Sequence, residues 1–116
     1  MNWNRFLKFL WWGTVLGITI LSLMPPSSGR ELPTNDKVGH FIAYGTFALI
    51  SLIYGSGRYK ITHILLFNFL FGIIMEFCQG FVPGREPSGL DALANTSGII
   101  LGWIFFTVLR KKTSKS

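Results

Sequence analysis

The polar and ionisable side chains that could do chemistry fall into three short motifs separated by apolar stretches. The first is Asp36-Lys37-x-x-His40-x-x-x-Tyr44. On a helix, steps of three and four residues place Lys37, His40 and Tyr44 on one face, and Asp36 is one turn from His40. Two interpretations stay open: a capping acid with a snorkelling lysine and aromatic rings at an interface, or a functional site with intramembrane ionisable groups.

The second motif is Glu76-x-x-Gln79, in which both side chains share a helical face. Glu76 directly follows the apolar run 69–75, so it falls at the edge of a hydrocarbon layer. A charged carboxylate there is costly unless it is protonated or paired. We therefore predict that Glu76 faces the interior of a helix bundle and serves function or fold specificity, and that it does not face lipid.

The third motif is Arg85-x-x-Ser88-x-x-Asp91-x-x-x-Asn95. Asp91 and Asn95 are one helical turn apart and share a face. Arg85 is the natural partner for Glu76 or Asp91, because a guanidinium can hold a carboxylate through two hydrogen bonds. A structural ion-pair network that clamps the loop is the alternative to a functional site. If the three motifs meet, they form a polar pocket at one membrane surface.

The elements that would position these motifs are membrane-spanning helices. The chain is 49% hydrophobic and 14% charged over 116 residues, which is unusual for a soluble domain of that size. About 20 apolar residues cross a bilayer as a helix. The sequence therefore predicts an all-α, four-helix transmembrane bundle in a single domain, residues 1–116, with helices at about 6–24, 37–54, 61–81 and 90–109.

Smaller signals refine these helices. The N-terminal apolar run is longer than a usual signal-peptide core and lacks a cleavage pattern, so we predict a retained helix. Thr34 or Asn35 is the predicted N-cap of the second helix, and Ser88 with Asp91 forms a capping box for the fourth. Gly98 and Gly102 form a G-x-x-x-G step, which predicts close packing against another helix.

Lys and Arg are unevenly divided between alternate loops, eight on one side and three on the other. The positive-inside tendency then places both termini and the middle loop in the cytoplasm, with the first and third loops outside. The larger group is Arg5, Lys8, Arg58, Lys60, Arg110, Lys111, Lys112 and Lys115, and the smaller is Arg30, Lys37 and Arg85.

Several other classes are disfavoured. The basic residues form short clusters with no continuous stripe, so we expect no nucleic-acid partner despite a pI near 9.9. Cys78 is the single cysteine, so no intrachain disulfide can form. One outer histidine with scattered carboxylates is a weak ligand pattern, so we expect no metal and no cofactor. Four short helices leave little room for a transporter without oligomers, and a homo-oligomer stays open.

The three motifs resemble the VanZ-like family, which is named for a protein associated with teicoplanin resistance in bacteria. The resemblance rests on DKVGHFIAY at 36–44, EFCQ at 76–79 and REPSGLDALANTSGIILG at 85–102. It implies a multi-pass protein of the bacterial cytoplasmic membrane with a role in the cell envelope. It does not imply a defined reaction.

Two functions follow as expectations. The first is a non-enzymatic envelope protein whose outer pocket binds a lipid-linked cell-wall component, a lipoglycopeptide or a membrane partner, and which contributes to glycopeptide resistance. The second is an intramembrane enzyme that acts on a lipid-linked phosphate or glycan. In the enzyme, His40 would be the acid or base, Asp36 or Asp91 would orient it, and Lys37 and Arg85 would hold an anionic head group.

Overall fold

The computed structural model describes residues 2–24, 33–84 and 89–114, without the side chains of 33–37 and 113–114. Within these ranges the chain forms four α-helices: α1 (Trp3–Leu23), α2 (Pro33–Gly55), α3 (Ile61–Gln79) and α4 (Gly89–Ser114). The shortest, α3, has 19 residues, so it is about 28 Å long, close to the thickness of a bilayer core. All four are long and apolar enough to cross a membrane, which confirms the predicted all-α fold class.

The distribution of side chains is the reverse of that in a soluble protein. Large apolar residues such as Phe9 and Phe77 are about 70% exposed, at 71% and 69%, whereas Asn68 is 0% exposed. Water would disfavour so many exposed apolar groups, and hydrocarbon would not. The chain is therefore built as a multi-pass membrane protein, with its polar groups inside the bundle.

The helices pack with α2 parallel to α4, and with α1 and α3 antiparallel to α2. Trp11 of α1 and Asn68 of α3 both contact Ser51 of α2, whereas His40 near the start of α2 contacts Asn95 near the start of α4. One end of the bundle, here called the terminal end, therefore contains Trp3, Gly55, Ile61 and Ser114. The other, here called the polar end, contains Leu23, Pro33, Gln79 and Gly89.

The α2–α4 pair is the most extensive helix contact in the described chain, and glycines allow it. A Cβ on Gly98 would collide with the backbone oxygen of Phe41 and lie 3.0 Å from the amide nitrogen of Gly45. A Cβ on Gly102 would lie 2.6 Å from the carbonyl oxygen of Gly45. The G-x-x-x-G step thus lies at the α2–α4 contact, where only hydrogen fits.

Apolar side chains fill the space around this contact. One cluster joins Ile18 of α1 to residues of α2 and α4, and it includes Tyr44, Phe47, Ala48 and Ile99. A second cluster, closer to the terminal end, joins Leu52, Ile64 and Phe106 from α2, α3 and α4. Burial of these groups against one another sets the rotation of each helix about its axis.

Four helix boundaries differ from the sequence prediction by two residues or more. Two of them are the start of α1, at Trp3 and not at 6, and the end of α4, at Ser114 and not at 109. The N-cap assignment to Thr34 or Asn35 is wrong, because α2 already begins at Pro33. Proline is well suited to the first helical position, since its missing N–H would have no intrahelical acceptor there. The fourth boundary is the end of α3, which lies at Gln79, two residues before the predicted end at Phe81.

After α3 the backbone forms a tighter helical turn before the chain reverses direction. The amides of Gly80, Phe81 and Val82 donate to carbonyls three residues back, at 3.0 to 3.1 Å, which is the hydrogen-bond pattern of a 3₁₀ turn. Pro83 follows, and Gly84 has a φ of 84°, which matches the third position of a type II turn. The chain thereby turns from α3 towards α4 at the polar end.

Candidate functional site

The centre of the polar end is a hydrogen bond between α2 and α4. His40 Nδ1 lies 2.9 Å from Asn95 Oδ1, and Asn95 is buried while His40 is partly exposed. With the amide oxygen facing the ring, Nδ1 carries the proton and donates it, so Nε2 presents a lone pair in the neutral histidine. Two motifs that are 55 residues apart in sequence therefore meet in one hydrogen bond.

Tyr44 lies one turn below His40 and is buried at 2% exposure. Its ring packs against Gly72 of α3, where a Cβ would lie 3.2 Å from the ring carbon Cε2 and 3.5 Å from Asn95 Nδ2. Gly72 therefore lets α3 approach α2 and α4 closely at this level. Within the described chain the Tyr44 hydroxyl has no hydrogen-bond partner, although it is enclosed.

The remaining described residues of the three motifs lie at the same end. Asp91 and Gln79 are buried, at 5% and 3% exposure, and Glu76 is partly buried. Glu76 and Asp91 each interact with other groups of the protein. We call the set His40, Tyr44, Glu76, Gln79, Asp91 and Asn95 the polar cluster. It draws on α2, α3 and α4.

Four predicted site residues lie, entirely or in their side chains, outside the part of the chain that the structure describes. Arg85 and Ser88 lie outside the described residues, and the side chains of Asp36 and Lys37 lie outside them as well. Helix α2 already includes positions 36 and 37, so their backbone belongs to the same helical turn region as His40. The predicted pairing of Arg85 with Glu76 or Asp91, and the Ser88 capping box, stay predictions.

An apolar groove opens beside the polar cluster on the surface of α3. It has a volume of about 320 Å³ and is lined by Glu76 together with Ile73, Phe77, Gly80 and Phe81. Glu76 thus lies between a hydrocarbon-facing groove and the buried polar groups. A molecule with a polar head and an apolar tail would find both kinds of surface next to each other.

The chemistry open to this arrangement is hydrogen bonding, charge recognition and proton transfer. A histidine held by an amide at Nδ1 can accept or release a proton at Nε2. In the described ranges no group of three His, Cys, Asp or Glu side chains is arranged to hold a metal ion. His63 is exposed near the start of α3, at the terminal end, far along the chain from the polar cluster.

A comparison with protein families identifies the fold that carries this cluster. A sequence model described as VanZ/LLP1 matches residues 4–110, which is nearly the whole chain. The chain belongs to the VanZ/LLP1 family. The match confirms the resemblance seen in the motifs, and it includes α1, whose sequence alone showed only a generic apolar span. No curated protein and no solved structure gave a match.

This VanZ/LLP1 chain contains a second buried polar group that the sequence analysis missed. Trp11 Nε1 donates to Ser51 Oγ at 2.8 Å, and Asn68 Nδ2 donates to the same oxygen at 3.2 Å. The three residues join α1, α2 and α3 in the half of the bundle nearer the terminal end. The signal in the sequence was Asn68 itself, the one strongly polar side chain in the run 64–74.

Asn68 is left with one polar atom unsatisfied within the described chain, its Oδ1. Rotating the amide by 180° would let the Ser51 hydroxyl donate to that oxygen, but it would leave the Asn68 nitrogen without an acceptor. This second group is therefore a helix-to-helix link that leaves one buried acceptor, Asn68 Oδ1, without a partner among the described residues. Both groups contain a buried asparagine, Asn68 here and Asn95 in the polar cluster, so the two can be compared directly.

Proposed function

We propose that this VanZ/LLP1 protein resides in the bacterial cytoplasmic membrane and uses the polar cluster as an outward-facing binding pocket. Its ligand would be a lipid-linked cell-wall component, a lipidated glycopeptide of the teicoplanin type, or a membrane partner. Through that binding it would contribute to glycopeptide resistance in the cell envelope. The observation that supports the proposal is the convergence of buried polar side chains from three helices at one end of the bundle.

The energetic argument starts from the cost of such groups. A titratable or amide side chain inside a bilayer is expensive, and an apolar residue could fill the same space. In the second group, two hydrogen bonds between uncharged side chains link three helices. The polar cluster is larger and contains two carboxylates and a histidine. Ionisable groups are not needed for such a link, so their presence favours a ligand.

The neighbouring surface favours an amphiphilic ligand. The groove of Ile73, Phe77 and Phe81 opens directly beside Glu76, so an acyl or polyprenyl chain could lie in it while a polar head reached the cluster. Burial of an apolar chain contributes about 0.8 kcal/mol per methylene. The distribution of Lys and Arg supports an outward orientation of this end, because most of them belong to the opposite end.

Two buried asparagines offer a matched test. Asn95→Leu changes the polar cluster, and Asn68→Leu makes the same change in the second group at similar burial. In a strain whose teicoplanin resistance depends on this gene, we expect Asn95→Leu to remove the resistance and Asn68→Leu to keep it. Glu76→Ala and Asp91→Ala should behave like Asn95→Leu. The readout is the minimal inhibitory concentration, with membrane protein levels measured in parallel.

Unchanged drug sensitivity in the cluster variants, at normal protein levels, would contradict the proposal. Equal loss of resistance and of protein in both asparagine variants would mean that the cluster serves only to stabilise the fold.

The alternative function is an intramembrane enzyme that acts on a lipid-linked phosphate or glycan. The observation that favours it is the His40–Asn95 hydrogen bond, because catalytic bases are commonly oriented by such a third group. Incubation of the purified protein with labelled lipid-linked precursors decides between the two. Product formation that is lost in His40→Ala would establish the enzyme, and binding without conversion would support the pocket.

A further inference from the structure

The terminal end of the bundle has its own cavity, distinct from the polar cluster. A recess of about 430 Å³ lies between the start of α1 and the end of α2, and its wall includes Arg5, Lys8, Arg58, Trp12 and Tyr54. We call it the basic recess. Three cationic side chains from two separate segments of the chain surround one space, and all three are exposed.

An apolar cleft continues from the basic recess towards the middle of the bundle. It also measures about 430 Å³, and it shares Trp12 and Tyr54 with the recess. Trp11, Ile64 and Phe67 line it further in. The two spaces together form one path that is cationic at the terminal end and apolar and aromatic inside.

Among the described residues the cations of the basic recess have no acidic neighbour. The two described acidic side chains, Glu76 and Asp91, lie at the polar end, and no acidic residue falls within 2–24, 38–75 or 92–114. Within the described residues Arg58 contacts the Tyr54 ring, at 5.7 Å from its centre, and none of the three cations forms an ion pair. The described part of the chain thus leaves room at these cations for an anion from outside the protein.

We propose that the basic recess and the apolar cleft form a binding site for one acidic phospholipid. The phosphate would lie among Arg5, Lys8 and Arg58, and an acyl chain would follow Trp12 into the cleft. The three cations favour a negatively charged head group. The adjoining apolar cleft favours a ligand with an acyl chain over a free anion. Tryptophan and tyrosine at the mouth are the residues that membrane interfaces favour.

The test uses native mass spectrometry of the detergent-solubilised, delipidated full chain. We expect the first molecule of phosphatidylglycerol to bind at least about fivefold more tightly than phosphatidylcholine, the effect of roughly one cation near an anionic surface. The triple variant Arg5→Gln, Lys8→Gln, Arg58→Gln should lower this ratio to about one. Since the three side chains are exposed, the variant should fold, which helical circular dichroism would check.

A matched control removes three cations from the same end but away from the recess: Arg110→Gln, Lys111→Gln, Lys112→Gln. This variant should retain the preference for phosphatidylglycerol. Equal loss of preference in both triple variants would overturn the proposal, because net charge alone would then explain binding. The proposal would also be overturned if the unsubstituted protein bound phosphatidylglycerol no more tightly than phosphatidylcholine.

A competition experiment tests the role of the tail. Glycerol phosphate at millimolar concentration should leave the bound phosphatidylglycerol in place, because it cannot occupy the apolar cleft. Displacement at that concentration would contradict the proposal, since it would mean that the recess recognises the phosphate alone.

Discussion

At the scale of single residues, the polar cluster is organised by groups that have few hydrogen-bonding choices. Asn95 is enclosed and bonds to His40, so its removal affects the orientation of the histidine ring as well as one hydrogen bond. Interhelical hydrogen bonds in membrane proteins contribute modestly, on average about 0.6 kcal/mol. The cluster therefore contributes to fold specificity only as a sum of small terms.

A double-mutant cycle measures the central bond. We expect His40→Ala and Asn95→Ala together to cost less than the sum of the single variants, with a coupling free energy of about 0.6 kcal/mol and at most about 1.7 kcal/mol. The measurement is unfolding of the purified protein in mixed micelles by increasing denaturing detergent. Additive effects would mean that the two side chains do not interact in the bilayer-like environment.

At the scale of the elements, the α2–α4 pair depends on backbones that touch. Gly98 faces the Phe41 carbonyl and the Gly45 amide, so the contact leaves no space for a side chain on α4. Close approach of this kind compensates for the absence of a hydrophobic driving force between helices in lipid. The two helices also carry His40 and Asn95, so the same contact aligns the polar cluster.

Alanine substitutions test this contact against an internal reference. Gly98→Ala should destabilise the fold by about 1–3 kcal/mol, because a methyl group would push against backbone atoms. Gly13→Ala on α1 has no atom within 4 Å of the added carbon, so it should be neutral or stabilising by up to about 1 kcal/mol. Thermal unfolding in detergent compares the two. A neutral Gly98→Ala would show that α2 and α4 are farther apart than described.

At the scale of the whole molecule, the two ends of the bundle differ in chemistry. The polar end contains the two described acidic side chains, Glu76 and Asp91, and the terminal end contains the cations of α1, of the α2–α3 turn and of the end of α4. Because α1 is antiparallel to α2 and α4 is parallel to it, Trp3 and Ser114 lie at the same end. The chain therefore has two possible orientations in a membrane: either the terminal end or the polar end faces the cytoplasm.

Reporter fusions test that choice. A phosphatase that is active only outside the cytoplasm should be active when inserted after Pro83 and inactive when inserted after Gly57 or at residue 116, because the Lys and Arg bias keeps those sites inside. A cytoplasmic reporter should show the opposite pattern. Phosphatase activity at Gly57 and none at Pro83 would invert the topology and contradict an outward-facing pocket.

The sequence by itself determined the number of helices, their class and the approximate place of each polar motif. The length of an apolar run and the three- and four-residue spacing of polar side chains are local properties, so they do not depend on which helices pack together. The same local reasoning placed Asp91 and Asn95 on one helical face and predicted close packing at Gly98 and Gly102. It misjudged the starts of α1 and α2 and the ends of α3 and α4; α2 starts at a proline, and a 3₁₀ turn follows α3.

Only the tertiary structure decided which stripe meets which. Three contacts join residues that are far apart in sequence. Gly98 packs on Phe41 and Gly45, Gly72 leaves space for Tyr44, and Ser51 links Trp11 to Asn68. A helix in lipid can be apolar on every side, so its sequence does not reveal its rotation about its axis. That rotation is set by the neighbouring helices, and with it the composition of the site.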